Sequence, residues 1–273
     1  MNLLEAIVLG IVQGLTEFLP VSSTAHLRIV PAFLGWNDPG AAFTAVTQIG
    51  TLIAVFVYFW KDIVSLFTAF LRSVVALKPF GTKESSMAWW ILFGTIPIGI
   101  FGLLFKDLIE TEFRSLTVIA LSLIILALLL TLAEKVGKRR RTLSQMTLLD
   151  TQLIGLAQAV ALIPGASRSG TTITAGLLLD LNREDAARFS FLLSIPAITL
   201  SGLYQLYQLR SLLAGELGAA LLVAVVVSGV VGYLSIGFLL RYLRSHSTWL
   251  FIIYRIILGA GILLMISMDF VKP

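Results

Sequence analysis

Two short polar segments interrupt an otherwise apolar chain, and their residue types suit phosphate chemistry. One runs Glu17-Phe-Leu-Pro-Val-Ser-Ser-Thr-Ala-His26, the other Pro164-Gly-Ala-Ser-Arg-Ser-Gly-Thr-Thr172. In the second, Ser167, Ser169 and Thr172 offer hydroxyl donors around Arg168, whose planar fork matches phosphate oxygens. Gly165 and Gly170 let a ligand approach the backbone closely. Ser and Thr favour helix N-caps, where free N–H groups and the positive dipole end attract anions. A helix start after Thr172 is expected to complete a phosphate clamp. In a soluble protein the same residues would form an ordinary turn.

In the first segment Ser22, Ser23 and Thr24 are expected to cap a helix running towards Leu34. His26 follows Ser23 by three residues, so the two can share a helix face. That spacing suits a nucleophile and its general base. The plainer reading of His26 is a packed histidine. Glu17 follows Gln13 by four and faces the same way. A lone carboxylate in an apolar helix needs a partner. Arg168, a protonated His26 or a divalent cation would serve. Mg²⁺ is held by one or two carboxylates together with substrate phosphates, so Glu17 and Gln13 are the candidate metal residues. A purely structural Glu17–Arg168 ion pair is the alternative.

The elements that position these residues are membrane elements. The 273 residues are 58% hydrophobic and only 13% charged, with a mean hydropathy of +0.95. A soluble domain carries about twice that charge. With no cysteine, disulfides and thiolate metal sites are excluded. The net charge of +5 is not a nucleic-acid signal. Much of it sits in Lys135-Val-Gly-Lys-Arg-Arg-Arg141, which reads as a cytoplasmic loop. The N-terminus lacks a basic segment and a small-residue cleavage site, so no cleaved signal peptide is expected.

Roughly 20 apolar residues cross a bilayer as a helix. Six stretches qualify: about 39–60, 86–105, 115–133, 189–209, 217–240 and 248–268. Residues 3–34 and 148–179 are instead broken by the polar segments and read as re-entrant helix–loop–helix hairpins, tolerated only where they line a cavity or are buried in protein. The 62–78 stretch could lie at the interface. Gly10-Ile-Val-Gln13 recurs as Gly155-Leu-Ala-Gln158, and Ala42-Phe-Thr-Ala-Val-Thr-Gln-Ile49 is echoed by Arg188-Phe-Ser-Phe-Leu-Leu-Ser-Ile195.

The expected fold is an all-α polytopic membrane protein, a single domain over 1–273. It comprises an inverted repeat of one re-entrant hairpin plus three spans. Repeat one covers about 1–134 and repeat two about 148–273, with the basic loop at about 135–147. Such repeats place a site near the midplane. Basic residues in 61–85, 134–147 and 241–247 put those loops in the cytoplasm and both termini outside. The opposing loops 106–114 and 210–216 balance Lys106, Arg114 and Arg210 against Asp107, Glu110, Glu112 and Glu216. Glu134 and Lys135 are expected at the interface, and the tryptophans at 60, 89, 90 and 249 as belt anchors. Arg255, beside Tyr254 in the last span, could pair with a carboxylate or a lipid headgroup.

The segments Gln13-Gly-Leu-Thr-Glu17-Phe-Leu-Pro-Val-Ser-Ser-Thr-Ala-His26 and Pro164-Gly-Ala-Ser-Arg-Ser-Gly-Thr-Thr172 closely resemble the paired signatures of the undecaprenyl-diphosphate phosphatases, also called bacitracin resistance proteins. The resemblance covers the whole chain in length, span pattern and motif order. The first acidic-motif position, Glu or Gln in that family, is Gln13 here, which leaves Glu17 as the main acidic group. The resemblance implies hydrolysis of undecaprenyl diphosphate to undecaprenyl phosphate and inorganic phosphate. That recycles the lipid carrier of cell-wall synthesis in the bacterial cytoplasmic (inner) membrane. It also implies a divalent cation, Mg²⁺ or Ca²⁺, and membrane lipid as a partner. A homodimer is left open.

The expected catalytic set is Ser23, His26 and Glu17. Ser23 would attack while His26 takes its proton. His26 as nucleophile and a metal-activated water are the variants. Arg168, Ser22, Thr24, Ser167, Ser169, Gly170 and Thr172 would hold the diphosphate. A carrier flipping the lipid phosphate is the competing class, since inverted repeats with broken helices are also a transporter architecture.

Overall fold

Side-chain caps set several helix starts. Asn2 accepts from the Glu5 N–H at 2.9 Å, and Thr82, Ser115 and Thr147 cap later helices in the same way. Each satisfies an N–H that the helix itself leaves free. The computed structural model describes residues 2–110, 112–208 and 216–271. Among them the chain forms α1 (Leu3–Phe18), α2 (Ser23–Leu34), α3 (Gly40–Tyr58), α4 (Trp60–Val75), α5 (Lys83–Leu104), α6 (Lys106–Glu110), α7 (Leu116–Val136), α8 (Leu148–Val160), α9 (Arg168–Leu178), α10 (Arg183–Gln208), α11 (Glu216–Ser245) and α12 (Trp249–Ser267). The described residues contain no β-strand. Arg210 lies outside the described residues, as do the side chains of Glu110, Glu112 and Glu216.

Helices α5, α7, α10, α11 and α12 are each long and apolar enough to cross a membrane. Helix α3 meets that test together with α4, which bends away from it by 84°. Trp89 ties α4 to α5 by donating to the Ser73 hydroxyl at 3.0 Å.

The remaining helices are short: 16 and 12 residues in α1 and α2, 13 and 11 in α8 and α9. At about 1.5 Å per residue, the shortest covers only about half of a 30 Å hydrocarbon core. Helix α1 packs on α11, and α8 packs on α5. These are corresponding contacts with the halves exchanged. The repeated Gly-x-x-Gln explains itself here. A Cβ on Gly10 would sit 2.8 Å from the Ala224 carbonyl oxygen, and one on Gly155 only 2.2 Å from that of Gly94. The helix backbones come too close for any side chain.

The basic loop is pinned rather than free. Arg141 pairs with Asp150 at 2.5 Å and exchanges main-chain bonds with Asp180 and Asn182, while the Lys138 N–H donates to Asp180 at 2.6 Å. Glu134, in the last turn of α7, is buried, with Arg183, Arg139 and Thr248 converging on its carboxylate from three segments.

Candidate active site

Both polar breaks turn on a serine with a left-handed backbone. Ser22 has φ 75° and ψ 101°, and Ser167 has φ 71° and ψ 113°. Such conformations are costly for a residue with a side chain and concentrate at functional sites. Each serine hydroxyl then accepts from the N–H three residues on, Ala25 at 3.3 Å and Gly170 at 3.1 Å. Helix α2 therefore begins at Ser23 and α9 at Arg168, earlier than the expected starts after Thr24 and Thr172. This shift places Ser23 and Arg168 at equivalent first-turn positions.

The breaks meet. The Gly165 N–H lies 3.5 Å from the Thr24 hydroxyl, and the Ser169 hydroxyl donates to the Leu19 carbonyl at 3.1 Å. Within each break, the Ser22–Thr24 and Ser167–Ser169 hydroxyl pairs are 3.1 and 3.2 Å apart.

Glu17, buried near the end of α1, is the hub. Its Oε2 accepts from the Ser23 hydroxyl at 2.7 Å and from Gln13 Nε2 at 2.8 Å. Gln48 Nε2 stands 3.5 Å away from the same oxygen. Oε1 takes a guanidinium N–H of Arg168 at 2.9 Å. The other terminal nitrogen of Arg168 donates to the Ser190 carbonyl at 3.3 Å. Thr172, expected on the phosphate, is turned inward. Its hydroxyl bonds the Arg168 carbonyl at 2.7 Å and lies 2.6 Å from the Ser190 hydroxyl.

Gln48 and Ser190 were not singled out in the sequence. Their signal was there, since each is a polar residue in a charge-free apolar span and they fall in the two stretches that echo each other.

The expected Ser23–His26 pair is not formed. His26 Nδ1 is 2.7 Å from the Ser22 carbonyl, and Nε2 is 2.6 Å from the Tyr254 hydroxyl. Its ring stacks on Tyr254 with centroids 5.7 Å apart and planes 9° from parallel. With Nδ1–H donating to the carbonyl, Nε2 accepts from Tyr254. The physical reason is that one helix turn carries Ser23 towards α1 and His26 back over the break. The hydroxyl's proton acceptor is thus the Glu17 carboxylate.

Gln13 supplies one more observation. Its Oε1 is buried with no hydrogen-bond partner, which is rare for such an atom. The described residues hold no group of three His, Cys, Asp or Glu that could enclose a metal alone. A single carboxylate and an unused amide oxygen instead fit a cation that takes most of its ligands from phosphate and water, as Mg²⁺ does. The site can thus activate a hydroxyl against a carboxylate, oppose it with a guanidinium, and offer oxygen donors to a cation.

The chain as a whole resembles known proteins along nearly its entire length. The family model described as bacitracin resistance protein BacA matches residues 6–261. An undecaprenyl-diphosphatase of Chlorobium limicola is 56% identical over 276 residues, spanning 98% of each chain. One from Chlorobium phaeobacteroides (strain BS1) is 57% identical over 282 residues, spanning both chains completely. One from Myxococcus xanthus is 55% identical over 273 residues, spanning all of this chain and 92% of its own.

Proposed function

This chain belongs to the bacitracin resistance protein BacA family, and from that we propose that it is a membrane phosphatase converting undecaprenyl diphosphate to undecaprenyl phosphate and inorganic phosphate. The reaction returns the lipid carrier to peptidoglycan synthesis. It also removes the diphosphate form that bacitracin sequesters, which yields resistance. The observation that carries the reading is the 2.7 Å bond from the Ser23 hydroxyl to Glu17, with Arg168 on the other carboxylate oxygen.

In the proposed mechanism the polyprenyl tail stays among the apolar spans while the diphosphate enters between the breaks. Arg168 turns from Glu17 to the terminal phosphoryl group, where its charge and the N–H groups opening α2 and α9 stabilise developing negative charge. Ser23 Oγ attacks the terminal phosphorus, and its proton passes to Glu17 Oε2. The bond from phosphorus to the bridging oxygen breaks, and undecaprenyl phosphate leaves with that electron pair, its oxygen taking the proton from Glu17 and so returning the carboxylate to its ionised form. Water then attacks the phosphoserine. Glu17 takes a water proton and Ser23 Oγ regains one, releasing inorganic phosphate. His26, held by Ser22 and Tyr254, lines the break. A divalent cation, when bound, would be held by Glu17 and Gln13 Oε1 and would neutralise phosphate charge.

The second half is inverted relative to the first, with three spans in each, both termini outside and the basic loop in the cytoplasm. The exchanged packing of α1 on α11 and α8 on α5 supports this arrangement. A carrier needs no hydroxyl aimed at a carboxylate, so hydrolysis is preferred over flipping. The test is phosphate release from undecaprenyl diphosphate by purified protein in detergent, where no compartment exists to transport across. Release by wild type and its loss in Ser23→Ala are expected. Wild-type turnover by Ser23→Ala would exclude Ser23 as nucleophile, and no release by intact wild type would favour the carrier.

A further inference from the structure

One buried cation stands apart from the phosphate cradle. Arg255, inside α12, has no exposed surface. Its hydrogen bonds run to main-chain carbonyls rather than to a carboxylate. One terminal nitrogen donates to Pro20 at 3.2 Å. The other reaches Gly165 at 3.1 Å and Ala166 at 3.0 Å, with Ser122 at 3.4 Å. Nε donates to Leu123 at 3.2 Å.

Two of these acceptors are equivalent. Pro20 lies two residues before the cap Ser22, and Gly165 lies two residues before the cap Ser167. One guanidinium therefore holds the same carbonyl in both breaks while standing on α7. Irregular backbone at membrane depth leaves carbonyls without helical donors, and they must be satisfied internally. Five N–H groups in a plane can gather carbonyls from three elements, whereas an ammonium has only three on a flexible stem. The fit is tight, since a Cβ on Gly170 would sit 2.7 Å from the guanidinium.

A buried guanidinium is expensive, so a residue of this kind in a span calls for a function. We infer that Arg255 is a positioning residue of the hydrolytic site, tying the carbonyls of Pro20 and Gly165 together and so fixing Ser23 against Arg168. The inference rests on the phosphatase reading for its consequence but not for its geometry. Arg255 does not touch the phosphate. It sets the distance between the attacking hydroxyl and the phosphate clamp.

Two measurements on the full-length protein in detergent test this. The first is steady-state hydrolysis of farnesyl diphosphate, a short polyprenyl diphosphate, by wild type, Arg255→Lys and Arg255→Met, each with its melting temperature. Arg255→Lys keeps the charge but not the fork. A folded Arg255→Lys should lose kcat on the order of 10²-fold, the cost of a small misplacement of reacting groups, with little change in KM. Wild-type kcat in that variant, or a loss that merely follows the folded fraction, would overturn the inference. Should Arg255→Met fail to fold, the lysine variant still decides.

The second measurement does not depend on turnover. The chain has no cysteine, so spin labels at Leu34→Cys and Leu178→Cys, both exposed helix-end positions, report the hairpin separation cleanly. Arg255→Lys should shift or broaden that distance distribution. An unchanged distribution sinks the positioning role. Absence of phosphate release by wild type would instead count against the phosphatase reading alone.

Discussion

Ser23 and Arg168 occupy the same position in the two breaks, each the first helical residue after a serine with positive φ, and they bind opposite oxygens of one carboxylate, at 2.7 and 2.9 Å from Glu17. Matched points of the two breaks thus carry unlike groups, a hydroxyl in one and a cation in the other. Glu17 links them in the resting protein and, in the proposed mechanism, holds both side chains near the terminal phosphorus. This is preorganisation of the kind that transition-state stabilisation requires.

The Glu17–Arg168 pair gives the sharpest separation of structural from chemical roles. Removing one partner of a buried pair typically costs about 3–5 kcal/mol, because the other is left buried and uncompensated. Replacing both restores much of that. Arg168→Met and Glu17→Gln should each lower the melting temperature, and the double variant should recover most of it. Activity should stay down on the order of 10²-fold or more in all three, since the phosphoryl clamp or the base is gone. Recovery of phosphate release in the double variant would make the pair structural only.

His26 and Tyr254 provide a graded comparison. The Ser23 proton goes to Glu17, while His26 is bonded to Ser22 and Tyr254. Tyr254→Phe removes one neutral hydrogen bond, worth about 1 kcal/mol. Its rate should fall by no more than about tenfold, far less than in Ser23→Ala or Glu17→Gln. A Tyr254→Phe rate as low as that of Ser23→Ala would return His26 to the role of base.

The breaks were legible because lipid makes polar residues costly, so Glu17, Ser23, His26 and Arg168 stood out from their surroundings without any structural help. The hairpins followed from lengths too short to span, and Gly10 and Gly155 from a repeat that proved to mark close helix contacts. The positive φ of Ser22 and Ser167 was not legible, since serine carries no preference for it. That geometry moved both helix starts and redirected Ser23 from His26 to Glu17. The burial of Glu134 was equally hidden, for its partners Arg183 and Thr248 are 49 and 114 residues away in sequence. Long-range satisfaction of a charge leaves no local pattern.

Asp38 offers a test by pH outside the spans. Arg114 donates to both of its oxygens at 2.8 Å, and Arg28 lies 3.5 Å away. Burial pushes this carboxyl up, but the Arg114 and Gly40 hydrogen bonds and the two guanidinium charges outweigh it and hold it below the ordinary aspartate value. A carboxyl lowered in the folded state contributes stability that is fully present above its unfolded pKa and is lost as pH falls through the folded one. The contribution should therefore be intact at neutral pH and fade below about pH 4. The cluster is partly exposed, so Asp38→Asn should cost less than about 1 kcal/mol at pH 7. Melting curves of the two proteins should converge in acid, and a difference that grows on acidification would contradict the assignment.

Gln13 carries the last prediction, because its amide oxygen is buried without a partner while its nitrogen binds the Glu17 carboxylate. If that oxygen serves a divalent cation, Gln13→Leu should weaken cation activation about 10–100-fold, the range seen when a supporting group at a metal site is lost. Gln13→Glu places a second carboxylate beside Glu17. Like charges at such distance disfavour each other when no cation is present. That variant should melt lower in chelator and regain the difference when Mg²⁺ is added, with half-maximal activation at a lower Mg²⁺ concentration than wild type. Titrating Mg²⁺ into chelator-treated protein, with phosphate release and melting temperature followed together, reads both effects. Activation curves that coincide for wild type, Gln13→Leu and Gln13→Glu would remove Gln13 from the cation site.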